Sequence, residues 1–332
     1  MNILIVRNDK LGDFITALPA CYILKQHLPD CHITVLISPI NQSIAETCDF
    51  IDDVILDTGQ SIGVLADQLR QKHFDIAFTL FSNTRIAIAQ WLARIPKRIA
   101  PATKIAQIFY NQRIIQRRSQ VKMPEFAYNI QLIQAVFPDI NIQYPQPLLQ
   151  FPKQDIQTTY QVFCESLNIQ HPIIAFHPGF GGSSDANWDI EEYIALAKSI
   201  QDTPRADIVF TFGPGDEPFY ETFMAKKGDL QAKVYTSQGS VADFAKLIRS
   251  FSLFISTSTG TFHLASAVGT PAMTFFADSL FASDKRWQGI GNKALQHNHM
   301  IPLDDDKRQA MFETVKDDLK LLISQDDFSH KA

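Results

Sequence analysis

The feature that most limits the fold is an alternation that runs through both halves of the chain. Continuous apolar runs, "NILIV" (2–6), "HITVLI" (32–37), "DVIL" (53–56) and "DIAFTL" (75–80), alternate with helical periodicity at 13–28, 41–48 and 61–72. A half-buried strand alternates apolar and polar side chains. A run that is apolar throughout is covered on both faces, as in a parallel sheet sandwiched between helices. After a helical stretch at 125–137 comes "PDINIQYPQPLLQFPKQD", with four prolines and little periodicity, which reads as a linker. The pattern then resumes with "IIAF" (173–176), "DIVFTF" (207–212), "LFIS" (253–256) and "AMTFF" (272–276), set among helical stretches at 154–167, 190–200, 217–226, 241–250 and 260–268. The expectation is an α/β protein with two doubly wound domains, 1–150 and 151–310. Residues 311–332 are expected to form a C-terminal helix and tail, with the N-terminal domain as a candidate packing partner.

Composition removes several function classes. No apolar run approaches the ~20 residues of a membrane span. "MNILIVRNDK" is cut off by charge after five apolar residues, so it does not read as a signal peptide, and a cytoplasmic location is expected. The four cysteines (Cys21, Cys31, Cys48, Cys164) have no CxxC spacing and no histidine cluster, which argues reduced thiols and neither a disulfide frame nor a metal site. The net charge of −5 hides an asymmetry: Arg85 to Lys122 holds nine basic residues and no acid, leaving −14 for the rest. That stretch is either a solvated helical face or a surface for an anionic partner, such as an anionic membrane or a phosphorylated acceptor. With no zinc-finger, RNP or aromatic–basic pattern, nucleic acid is not expected.

In doubly wound sheets the loops after the strands carry the chemistry. After "NILIV" comes "RNDKLGD". It lacks the three glycines of a dinucleotide fingerprint, which argues against a nicotinamide or flavin oxidoreductase. It offers Gly12 to let the backbone turn, and Asp13, which either caps the following helix or takes a proton from a hydroxyl nucleophile. In the second half, "HPGFGGSSDANW" contributes His177, Gly179, Gly182 and Ser183 before a capping box at Asp189 and Glu192, a pattern that suits a phosphate. "GPGDEPFYE" contributes Gly213 and Glu217, whose carboxylate either binds ribose hydroxyls or favours the helix start. "TSTGTFHLASAVGTP" gathers Ser258, Thr259, Gly260, Thr261 and His263 at a helix start fit for a diphosphate, and Lys285 and Arg286 follow on "SDKRWQGIG". With a nucleotide in the second domain, the first loop is left for the other substrate. Arg7, Asp9, Lys10 and Gly12 are its candidate contacts there, with Arg113, Arg117 and Arg118 from the basic stretch.

Taken together, "RNDKLGD" with "TALPA", "HPG…W", "FGPGDE" and "STGTFHLASAVGTP" resemble the signatures of glycosyltransferase family 9, the bacterial lipopolysaccharide heptosyltransferases, in order and over nearly the whole chain. The resemblance implies a GT-B fold, two Rossmann-like domains facing a central cleft. It also implies inverting, metal-independent transfer of a heptose from ADP-heptose to a lipid A–core oligosaccharide acceptor, with no cofactor, at the cytoplasmic face of the inner membrane. It gives Asp13 the role of general base and Glu217 that of ribose ligand, and it puts Thr259, Gly260 and His263 in the donor-phosphate loop. Two positions depart from the pattern: Ala186 stands where the family often has a phosphate-binding lysine, and Ser258 where it often has an aspartate. Lys285 or Arg286 is then the candidate replacement for the missing cation. Other readings are a GT-B transferase with another donor or acceptor, and a non-catalytic nucleotide-binding relative.

Overall fold

The computed structural model describes residues 1–179, 188–203 and 206–324, and the chain divides into two units, Met1–Leu148 and Leu149–Ala332. In the first unit, strands β1 (Asn2–Val6), β2 (His32–Ile37), β3 (Asp53–Leu56), β4 (Ile76–Thr79), β5 (Lys97–Pro101) and β6 (Gln112–Ile114) form one parallel sheet in the order β3-β2-β1-β4-β5-β6. Its helices are α1 (Leu11–Ile15), α2 (Leu18–His27), α3 (Gln42–Ala45), α4 (Ile62–Gln71), α5 (Thr84–Leu92) and α6 (Glu125–Gln134). Strands β1 and β4 are almost wholly buried, as their unbroken apolar runs require.

The single helix expected over 13–28 is two. Pro19 has no amide to donate to the Ile15 carbonyl, and the Thr16 hydroxyl donates to the Asp13 carbonyl at 2.7 Å, so the chain breaks between α1 and α2. The basic stretch is not one helical face either. It is built as α5, β5, a short 3₁₀ turn at Ile105–Phe109 and the edge strand β6. Nor does Gly12 make the turn after β1: it sits buried within α1, and the extended Lys10 turns the chain.

The second unit repeats the plan. After α7 (Lys153–Leu167), strands β7 (Ile173–His177), β8 (Asp207–Phe212), β9 (Lys233–Thr236), β10 (Leu253–Thr257), β11 (Ala272–Ala277) and β12 (Gln296–Ile301) form a parallel sheet in the order β12-β11-β10-β7-β8-β9. Helices α8 (Ile190–Lys198), α9 (Glu217–Lys226), α10 (Val241–Arg249), α11 (Gly260–Val268), α12 (Asp284–Trp287) and α13 (Asp305–Ser324) complete it. Helix α13 starts earlier than the sequence suggests, and it lays Val315, Leu319 and Ile323 into the second unit's own core. Trp188 belongs to the same core, its ring 4.2 Å from Phe275 and 5.3 Å from Phe312.

Each sheet has one place where neighbouring strands send their connections in opposite directions: between β1 and β4 in the first unit, between β7 and β10 in the second. There the loops part and leave a crevice beyond the strand ends, where doubly wound proteins bind ligands.

Candidate active site

At the first crevice, β1 delivers Arg7 directly. Its amide still donates to the Leu36 carbonyl at 3.1 Å, which keeps the residue in line with β2, while its side chain turns inward and is 2% exposed. The guanidinium donates in three directions. Nε donates to Asp9 Oδ1 (2.9 Å), Nη1 to Glu125 Oε1 (3.2 Å) and Asn129 Oδ1 (3.4 Å), and Nη2 to Asp13 Oδ1. Glu125 opens α6, is 2% exposed and also accepts from Arg118, whose Nη2 donates to the Leu80 carbonyl at 3.0 Å. Burial alone would lower the Arg7 pKa, but Asp9, Asp13 and Glu125 together hold it above its ordinary value. Burial pushes Asp9 up to about 6, reinforced by the Asp13 charge and opposed by Arg7.

This arrangement places the residues expected from sequence as follows. Arg7 and Asp9 pair with each other inside the protein, and Arg118 is likewise committed to Glu125. Asp13 gets little from a helix dipole, because α1 has only five residues; its charge partner is Arg7. One carboxylate oxygen is held and the side chain remains partly open to solvent. Lys10, Arg113 and Arg117 stay exposed.

At the second crevice the loops after β7 and β8 meet at a residue that the sequence motifs do not single out, Asp216. It accepts the Gly213 amide at 2.7 Å and lies 3.7 Å from His177 Nε2. A methyl group on Gly179 would collide with its carboxylate, so Gly179 is needed for this close approach. His177 ends β7, and its Nδ1 sits 3.0 Å from the Thr211 hydroxyl. Burial lowers the His177 pKa, with Asp216 pulling the other way. Asp216 also precedes α9, so it sets where Glu217, exposed at the first helical position, begins. Gly182, Ser183 and Ala186 lie outside the described residues.

From β10, the Ser258 amide donates to the Phe275 carbonyl (2.9 Å), and Thr259 begins α11 with its hydroxyl 3.0 Å from that of Thr261. The first turn presents the amides of Gly260, Thr261 and Phe262, which have no partner within the helix. Such a nest of amides and hydroxyls suits a diphosphate. His263 is buried one turn in, 5.0 Å from Phe262 and 6.2 Å from the Trp287 ring, and burial drives its pKa down to about 4. Of the two candidate cations, Arg286 is built in: it is buried, with its guanidinium 3.6 Å from the Phe281 ring and 4.7 Å from that of Trp287. Lys285 is exposed. Trp287 thus joins Arg286 to His263 on α11.

The model of glycosyltransferase family 9 (heptosyltransferase) matches residues 62–316. The chain belongs to this family. It is 33% identical over 325 residues to a Haemophilus influenzae protein provisionally named a glycosyltransferase, covering 95% of this chain and 93% of that one. It is 23% identical over 295 residues to lipopolysaccharide heptosyltransferase 2 of Salmonella typhimurium, covering 84% of this chain and 83% of that one. The structure of Escherichia coli ADP-heptose LPS heptosyltransferase II superposes with a TM-score of 0.79 at 20% identity, over 97% of this chain and 98% of the other. This family 9 chain is therefore a glycosyltransferase with two Rossmann-like units of the GT-B class.

Proposed function

We propose that the protein transfers a heptose from ADP-heptose to a core sugar of a lipid-linked oligosaccharide, with inversion and without a metal, at the cytoplasmic face of the membrane that carries the acceptor. The observation that carries this reading is the Arg7–Asp13 pair at the first crevice: a carboxylate with one oxygen clamped and the side chain partly open to solvent. Three carboxylates converge there, but on a guanidinium that offsets part of their charge. In the reaction the acceptor hydroxyl attacks the anomeric carbon, Asp13 takes its proton through the unclamped oxygen, and ADP departs from the opposite face. The α11 amides, the Thr259 and Thr261 hydroxyls and Arg286 stabilise the diphosphate charge as it develops. Glu217 binds the ribose. The first unit then serves the acceptor and the second the donor.

The test is Asp13→Asn, which keeps shape and loses basicity. With ADP-heptose and a heptose-accepting core oligosaccharide, kcat should fall about 10²-fold or more, with ADP affinity and melting temperature close to wild type. An Asp13→Asn enzyme that still turns over near the wild-type rate refutes the assignment. Turnover of another nucleotide sugar in preference to ADP-heptose keeps the base and replaces the donor.

A further inference from the structure

The basic stretch does not act as nine equivalent cations. Arg85 is committed to the Asp57 carboxylate, Arg98 to the Phe109 and Ile95 carbonyls, and Arg118 to Glu125. Arg94, Lys97, Lys104, Arg113, Arg117 and Lys122 are exposed, and none has an acidic partner among the described residues. Apolar side chains stand among them: Ile105 is 72% exposed, Ile108 63% and Trp91 51%.

Direct contacts join Lys104, the 105–109 turn, Trp91 and Arg94 into one face of the first unit. The Phe109 ring lies 6.0 Å from Trp91, so the 105–109 turn runs beside the end of α5. Lys104, which leads into that turn, sits 4.8 Å over the Phe81 ring, and Phe81 in turn lies 5.7 Å from the Arg7 guanidinium. The face therefore runs from the turn to the edge of the Asp13 cluster. Beside Trp91, a cleft of about 630 Å³ is lined by Arg70, Trp91, Leu92 and Arg94.

Single exposed apolar residues need no explanation, but a contiguous group does. Protein-binding patches are depleted of lysine at their centre. Here Lys104 leads into the turn that carries the isoleucines and Arg94 lines the cleft beside Trp91, an arrangement in which long cationic side chains reach lipid phosphates while apolar ones enter the acyl boundary. We propose that this face docks on an anionic lipid bilayer, with Ile105, Ile108 and Trp91 entering the interface and Lys104 and Arg94 pairing with phosphates. The docking deepens the reading of a membrane-bound acceptor, because Phe81 carries the same face to Arg7, the partner of Asp13. It rests on that reading only for which membrane is used.

The experiment is co-sedimentation of the full chain with vesicles of phosphatidylcholine alone or mixed with phosphatidylglycerol. Wild type should bind the mixed vesicles. Lys104→Gln with Arg94→Gln should weaken binding roughly five-fold per cation at low salt, with less difference at high salt. Ile105→Ser with Ile108→Ser should weaken it about ten-fold or more at both salt concentrations, with melting temperature unchanged and transfer to a delipidated acceptor intact. Equal binding by wild type and both variants overturns the proposal. So does absence of binding, or a wild-type dimer that the serine variant dissolves, which would make the face an interface between copies. Vesicle binding as expected with no transfer from ADP-heptose leaves the docking standing and removes the donor assignment instead.

Discussion

Arg7→Met tests whether the buried guanidinium holds Asp13, the proposed base. Methionine preserves an unbranched apolar stem but leaves Asp9, Asp13 and Glu125 without their shared cation. Removing one partner of a buried ion pair costs about 3–5 kcal/mol, because the other charge is left unpaired in the interior. Arg118 still neutralises Glu125, which argues for the low end, about 3 kcal/mol. At ~2–4 °C per kcal/mol for a unit of this size, the melting transition of the first unit should fall by roughly 6–12 °C. Arg7→Lys separates stability from function. An ammonium replaces most of the lost charge but cannot present the planar fork that reaches three carboxylates at once. It should recover most of the melting temperature and still lower kcat by about ten-fold or more, with KM for the donor unchanged, because Asp13 is no longer held in one rotamer. Near-ultraviolet dichroism melts and steady-state kinetics on both variants decide the matter. A methionine variant that melts within about 1 °C of wild type, or a lysine variant with full kcat, refutes the reasoning.

Asp9 binds its proton near pH 6 in the fold and near 3.8 as an unperturbed carboxyl, so the folded state holds the proton more tightly between these values. Its contribution to stability is therefore greatest below about pH 4 and is lost as the pH rises through about 6. Asp9→Asn should melt above wild type at pH 8, with the gap closing toward pH 4; a gap that widens on acidification contradicts the burial argument. At the second crevice, if Arg286 serves the diphosphate as proposed, Arg286→Lys should lower kcat about ten-fold by losing its ring-stacked geometry, while Lys285→Ala stays within about two-fold of wild type. Equal effects at the two positions, measured as kcat and ADP affinity, argue against a built-in role for Arg286.

What can be read from the sequence follows how locally each feature is encoded. Strands β1, β2, β4, β7, β8, β10 and β11 are buried centrally, so their runs are mainly apolar and stand out. Strands β6, β9 and β12 lie at sheet edges, where partial exposure admits residues such as Gln112, Lys233 and His297, and the run signal disappears. Helix α5 and strand β5 are hidden because charge, not periodicity, dominates the reading of 85–122. The inward turn of Arg7 is out of reach for a different reason: its partner Glu125 lies 118 positions away, and nothing local announces the pairing. Asp216 is overshadowed by the adjacent Glu217. Its signal is nonetheless present in "GPGD", where a glycine-rich turn ends in a residue able to bond back to the turn's own first amide.

The two sheets share one winding, and each opens a crevice at the same place in its strand order. The first crevice contains acids gathered around a buried guanidinium, and the second contains hydroxyls, amides and a stacked arginine. Under the proposed function, a single scaffold, used twice, supports a proton acceptor in one copy and an anion holder in the other. Because every loop in question is anchored at both ends to buried backbone, substitutions that retune one partner's chemistry leave the other's framework untouched. On that proposal, the sugar given and the group that receives it are open to change by separate sets of substitutions.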